Sequence, residues 1–395
     1  MSDSLDIVEE LAEEGVGSGV EREILDNTHE PFDPSSISIN SKIVSLDAVL
    51  RRLKNGTIIL SPDFQRNKVW DLERQSRLIE SMMLRIPLPM FYVAEDRLGR
   101  WEVVDGLQRL TAIQDFILGP DGDGKGYSLK GLEFWGDMFD GKTFFNLEKM
   151  KGVGMTVNHI IESELSFTII KPDTPEKVKR NIFKRINTGG MRLSEQEIRH
   201  ALYQGESTKL LSRLVASEAY KKTIGSNIKD ERMAGRELAL RYISFKVFGV
   251  ENYKGDMDDF LSRSMIVING DAGNLKFGED VVISEYTLES LERDFNKALL
   301  RSSQLFGEHV FRKSFDGERK TPINKSLFDV WMISLDLLSD IDFAKLKKKK
   351  KALITSYQRL TKDDDFVNSI SRYSGSITGV KERHSKVNSL IEEML

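Results

Sequence analysis

The sequence predicts an α+β fold, with a mixed α/β N-terminal domain followed by a mainly α-helical C-terminal domain. Three observations carry that reading. Residues 90–94 and 100–104 form two short apolar runs around a turn, and the second run leads directly into a helical pattern. Strand and helix patterns then alternate to about residue 205. Beyond Gly205, apolar residues recur at spacings of three and four, as in Leu238, Leu240, Ile243, Phe245 and again in Leu327, Val330, Trp331, Ile333.

Taken in order, regular structure is expected from Ile37, where Pro34, Ser35 and Ser36 give way to Ile37, Ile39, Ile43 and Val44. Ser45 or Asp47 is suited to cap a short helix that ends at Asn55-Gly56, and Ile58, Ile59 and Leu60 read as a strand. A loop follows through Asp63-Phe64-Gln65-Arg66-Asn67-Lys68-Val69-Trp70. Asp71 then caps a helix with Leu72, Leu78, Ile79, Met82 and Met83 on one face, which Pro87 and Pro89 terminate. After the hairpin comes a helix carrying Leu107, Leu110, Ile113, Phe116 and Ile117, closed at Gly119-Pro120. Residues 119–161 read as an excursion of loops and short helices. Residues 165–171 make a strand, and Thr174-Pro175 opens a basic helix that ends at Asn187-Thr188-Gly189-Gly190. Ser194 with Glu197 is a capping box for the next helix.

Composition narrows the function classes. With 395 residues the chain is long enough for two domains, expected as 37–205 and 206–395 behind an acidic segment, 1–36. A 39% hydrophobic and 30% charged composition, without a long apolar run or a secretory leader, points to a soluble cytoplasmic protein with no membrane partner. The absence of cysteine removes disulfides, thiolate metal sites and cysteine nucleophiles. The net charge of −4 is unevenly spread. Residues 1–36 carry eleven Asp or Glu against one basic residue, Arg22, whereas 37–200 and 201–395 are each +3. The acidic segment reads as a solvated, disordered arm or as a nucleic-acid mimic for a basic groove.

The chemistry-bearing residues cluster at Asp105-Gly106-Leu107-Gln108-Arg109. Asp105 and Gln108 have capping-box spacing, Gly106 leaves room for a ligand at the backbone, and the first-turn amides of the helix attract phosphate. Arg109 supplies a fork of donors suited to phosphate oxygens. A well-capped helix with a surface arginine is the plainer reading and stays open. The Gln65, Arg66 and Lys68 loop sets donors beside Phe64 and Trp70, which suits a nucleotide base and its phosphates, or simply anchors the loop. Arg185, Asn187 and Thr188 end a helix in small polar residues, an arrangement that a glycine C-cap also explains. Lys177, Lys179, Arg180, Lys184 and Arg185, like Lys347 to Lys351, are candidates to follow a nucleic-acid backbone or to form a solvated face. The five histidines, His29, His159, His200, His309 and His384, form no metal-binding pair.

The motifs "DFQRNKVW", "LIESMMLRIPLPMFYV", "DGLQRLTAI" and "FKRINTGGMRLSEQEIRHALY", in this order, resemble the N-terminal half of the GmrSD-type modification-dependent restriction enzymes, relatives of the ParB and sulfiredoxin fold. The likeness covers roughly residues 40–205. The family signature is Asp-Gly-Gln-Gln-Arg, and Leu107 replaces its first glutamine. The resemblance implies a ParB-like domain that binds a nucleoside triphosphate with Mg2+ and, in some members, hydrolyses it. By position it assigns Gln65, Arg66, Asp105, Gly106, Gln108, Arg109, Arg185, Asn187 and Thr188 to the site. Arg66 and Arg109 would meet phosphate, Asp105 a metal or its water, and Asn187 phosphate or ribose, with Asp105 and Arg109 as the catalytic pair. The implied role is a nucleotide-sensing component, an NTPase in one version, of an antiphage restriction-modification system acting with a separate effector protein. A DNA-binding adaptor with a degenerate nucleotide site and a stand-alone nuclease are the rival readings; DNA contact and homo-oligomerisation stay open.

Overall fold

The computed structural model describes residues 8–11, 17–23, 37–60, 70–186, 193–225, 228, 230–270 and 286–395. It has the predicted α+β class, with a mixed sheet in the N-terminal region and helices beyond. Two strands precede that sheet, β1 (Glu9–Leu11) and β2 (Gly17–Glu21), and they pair with each other antiparallel. The chain divides into two compact units, Pro31–Leu193 and, together, Met1–Glu30 with Ser194–Leu395. None of the described helices is long and apolar enough to cross a membrane.

The unit 31–193 holds β3 (Ile39–Ser45), α1 (Leu46–Lys54), β4 (Ile58–Ile59), α2 (Leu72–Met83), β5 (Phe91–Glu95), β6 (Trp101–Asp105), α3 (Leu107–Ile117), α4 (Gly136–Phe139), α5 (Phe144–Lys149), α6 (Gly154–Ile161), β7 (Glu164–Ile170) and α7 (Glu176–Ile186). Its sheet runs β3-β7-β5-β6-β4. The hairpin pair β5–β6 and the β3–β7 pair are antiparallel, whereas β7 joins β5 and β4 joins β6 in parallel. Parallel pairing of β5 with β7 requires a long crossover, and α3 to α6 provide it. Phe91, Phe167 and Trp101 come from neighbouring strands and stack at 5.2 and 5.3 Å, forming the centre of this core.

The excursion 119–161 consists of loops and short helices, as its weak periodicity suggests, yet it is firmly attached. The Glu80 carboxylate on α2 accepts hydrogen bonds from the backbone amides of Glu133, Phe134 and Trp135 at 2.8, 2.8 and 3.0 Å. Ser76, one helical turn earlier, accepts from the Lys130 amide at 2.9 Å. A buried carboxylate that collects three amides organises a loop as effectively as a strand would.

Glu102 on β6 is a strongly perturbed carboxylic acid. Burial raises its pKa to about 8, with Asp96 repelling and Arg100 attracting the ionised form. Since the folded-state value lies above the unfolded one, its contribution is full at low pH and fades as pH rises from about 4.5 through 8. Urea denaturation at a series of pH values is therefore expected to show the parent losing at least about 2 kcal/mol between pH 5 and 9. In the Glu102→Gln variant that loss should be absent.

The second unit contains α8 (Glu195–Leu202), α9 (Glu206–Ala216), α10 (Glu218–Thr223), α11 (Ala234–Phe248), α12 (Met257–Ile268), α13 (Leu288–Phe306), α14 (Lys325–Asp336), α15 (Asp340–Lys348), α16 (Lys350–Leu360), α17 (Asp364–Ser369) and α18 (Ile377–Glu392). Its core runs from Tyr203 to Ile391 and takes in Val20 of β2, with Trp331 and Tyr242 among the largest fully buried side chains. The compact units divide before Ser194, whereas the sequence reading placed its boundary at residue 205. Helix α8 belongs with the helical unit because Arg199 pairs with Asp258 at 2.6 Å and the Ser194 hydroxyl donates to the Arg232 carbonyl at 2.9 Å.

The acidic segment departs further from expectation. Its described residues 8–11 and 17–23 are not a solvated arm: they form β1 and β2 and lie against the helical unit, with Val20 fully buried.

Candidate nucleotide site at the strand and helix junction

Strand β6 continues through Asp105, so the helix cap falls one residue later than the Asp105–Gln108 spacing suggested. Gly106 is the N-cap of α3, in the left-handed region at φ 93°, and no side chain caps this end. The expected capping box is therefore absent. A Cβ at Gly106 would overlap the Phe91 ring and lie 3.1 Å from Arg109 Nη2. Glycine is required here by the protein's own packing and by its φ, because the direction in which a Cβ would point is filled by Phe91 and Arg109.

Arg109 is likewise absorbed by the fold. Its guanidinium donates to the carbonyls of Pro89 and, at 3.2 Å, Met90; it pairs with Asp105 Oδ2 at 2.8 Å and lies 4.5 Å from the Phe91 ring centre. Burial lowers its pKa and Asp105 opposes that shift. The side chain is 11% exposed against 40% for Asp105, so the carboxylate faces solvent while the guanidinium stands behind it. Arg109 therefore holds the strand end, the hairpin entry and Asp105 in one geometry.

Gln108 turns toward the preceding loop. Its Oε1 accepts from the Trp70 amide at 3.2 Å, and Gln75 Nε2 donates to the Trp70 carbonyl at 2.7 Å. Arg74 stacks over the Trp70 ring at 4.4 Å, and Asp71 caps α2 through the Arg74 amide at 2.7 Å. The last residue of "DFQRNKVW" is thus clamped onto the helix of "DGLQRLTAI". Gln65, Arg66 and Lys68 lie outside the described residues, as do Asn187 and Thr188. Arg185 is exposed in the last turn of α7.

Gln75 and Trp70 are the clamp that residue spacing did not reveal. The only sequence signal for it was Gln75 following an N-cap aspartate, which is too common to single out. Leu107 is buried at the start of α3. Among the described residues no group of three or more His, Asp or Glu is placed to hold a metal ion. One half-exposed carboxylate suits Mg2+ only when phosphate oxygens complete the shell, which is that ion's usual habit.

The basic face expected on α7 is smaller than its sequence suggested. Arg180 is buried and Lys179 is tied to Glu176 at 2.8 Å, so neither stands on an open cationic surface. Three of the histidines have structural surroundings: His159 Nδ1 meets the Met83 carbonyl, His309 Nδ1 meets Ser314, and burial pushes the His384 imidazole down to about 3.

Residues 47–204 match the family model described as the GmrSD restriction endonuclease, N-terminal domain. The chain carries a GmrSD N-terminal domain. Neither the curated proteins nor the solved structures gave a match. The GmrSD match begins within α1 and ends just beyond α8, so it takes in the Trp70 clamp and the Asp105 junction, and extends past the compact unit that ends at Leu193. The family is restriction-related by description.

Proposed function

We propose that the GmrSD-type domain binds a magnesium–nucleoside triphosphate at the amino end of α3, and that this binding makes the chain a nucleotide-sensing component of a restriction-like defence system with a separate effector protein. The observation that supports this most is a half-exposed Asp105 beside a helix start that has no capping side chain and no acidic residue in its first turn. A capping box would have used two of the donors at that end. Without one, the first-turn amides and the helix dipole favour an anion. A carboxylate beside a phosphate is tolerable only with a cation between them, which is the place Mg2+ takes in such sites.

In this reading Asp105 binds the metal, and the α3 amides bind phosphate. Arg109 is a positioning residue that fixes Asp105, and the Gln108–Trp70 bond fixes Trp70 beside the site. Gln65, Arg66 and Lys68, like Asn187, Thr188 and Arg185, belong to the reading through the family motif. Calorimetric titration of the full chain with ATP, GTP, CTP and UTP in Mg2+ tests it, with phosphate release followed in parallel. At least one triphosphate is expected to bind in the micromolar range and to lose that affinity when the metal is chelated. No heat from any of the four would overturn the proposal.

A further inference from the structure

The nucleotide reading leaves the acidic N-terminal segment unused. Strand β2 lies beside Ile323: the Glu21 amide donates to the Ile323 carbonyl and the Ile323 amide to the Gly19 carbonyl, both at 2.8 Å. Its acids then meet cations of the helical unit. Glu21 accepts from Lys313 at 2.5 Å and from Asn324 Nδ2 at 3.1 Å, and Glu23 accepts from Arg241 at 2.8 and 3.3 Å. On β1, Glu10 accepts from Lys325 at 2.7 Å. Glu21 and Glu23 flank an exposed Arg22, following the alternation of an extended strand, in which same-face side chains repeat at about 6.5 Å.

These cations depend on the segment. Arg241 and Arg383 are fully buried and Lys325 nearly so. Within the helical unit, Arg199, Arg241, Lys325 and Arg383 meet the carboxylates of Asp329, Glu237 and Asp258, whereas Lys313 pairs with Glu21 of the segment. The carboxylates of the helical unit are fewer than these cations, and Glu10, Glu21 and Glu23 of the segment supply further partners to Lys325, Lys313 and Arg241. An uncompensated buried cation is very costly, so this cleft must always hold anions. A guanidinium fork and two ammonium groups bind phosphate as readily as carboxylate.

Two further features point to an exchangeable occupant. A small cleft lined by Glu21, Arg22, Glu23, Asn324, Lys325 and Ser371 adjoins the contact. The fit at Glu10 is also imperfect, because burial and the nearby Glu237 raise its carboxyl while Lys325 lowers it.

We propose that this cleft is a binding site for the phosphodiester backbone of a single nucleic-acid strand, occupied in cis by the acidic segment, with Glu21 and Glu23 standing where successive phosphates lie. Segment and strand then exclude each other, and the segment sets the threshold for nucleic-acid binding. The site is on the helical unit and does not depend on the nucleotide reading.

The test is fluorescence anisotropy of a labelled oligo(dT) with the full chain and its Glu21→Gln/Glu23→Gln variant. The variant is expected to bind at least tenfold more tightly, with affinity falling steeply with salt, and adding Lys313→Gln and Lys325→Gln should remove the gain. Equal affinity of the folded variant and the parent, or no binding by either, overturns the proposal. Should the variant fail to fold, hydrogen exchange on the unaltered chain decides. Saturating oligo(dT) is expected to strip protection from the Glu21 amide, and retained protection with the oligonucleotide bound overturns the proposal.

Discussion

Replacing Asp329 with alanine is expected to cost the helical unit about 3–5 kcal/mol, the usual result of breaking a buried ion pair from one side. Asp329 is fully buried on α14, and its two oxygens receive Arg241 Nε at 3.0 and 3.0 Å and Nη2 at 2.7 Å, with Arg383 Nη2 at 3.5 Å. Burial raises the Asp329 carboxyl while Arg241 and Arg383 draw it down. Removing it leaves two buried guanidinium groups with only Glu23 of the N-terminal segment and, 4.0 Å from Arg241, Glu237 to answer them. For a unit of this size the loss corresponds to a Tm lower by roughly 10 °C, readable by calorimetry. A Tm within 2 °C of the parent, as is usual for surface substitutions, would contradict the assignment of Asp329 as the anchor of this network.

Arg109→Ala is expected to lower both stability and nucleotide affinity. The variant gives up two bonds to main-chain carbonyls, the ion pair with Asp105 and the contact with the Phe91 ring. Charge-assisted bonds at a largely enclosed side chain put the cost at about 2–3 kcal/mol in the N-terminal unit. Affinity should fall at least tenfold, because Asp105 loses its support. A phosphate-binding fork would give another pattern, with affinity lost and stability kept. Urea denaturation and nucleotide titration on one preparation separate the two, and Arg109→Lys should recover little of either because an ammonium cannot span the three acceptors.

Local signals were legible where one element carries its own reason. Ser194 and Glu197 form the capping box that their spacing predicts, Asp71 caps α2, and the hairpin strands fall within a residue or two of their expected bounds. Asp105 and Gln108 have the same box spacing and form no box. There, β6 runs on through Asp105, which faces Arg109 four residues ahead, while Gln108 is taken by Trp70. Spacing alone does not rank a cap against an ion pair or a tertiary clamp.

The N-terminal segment fails for a different reason. Its eleven acids satisfy every compositional cue for a solvated arm. The cations that receive three of them lie 218, 292 and 315 residues away in the chain. Such pairings leave no trace in a local window. On α7 the count of basic residues was right, and what the count lacked was the face that each occupies: Arg180 is buried and Lys179 is tied to Glu176, while Arg185 is exposed.

The claim that Asp105 carries a metal-bound nucleotide is tested most directly by Asp105→Asn, which keeps the side chain's shape and removes its charge. Calorimetric titration with the preferred triphosphate, with and without Mg2+, should show the parent binding at least tenfold more tightly with the metal and the variant indifferent to it, at a Tm within a few degrees of the parent. A variant that keeps the full magnesium dependence would contradict the account.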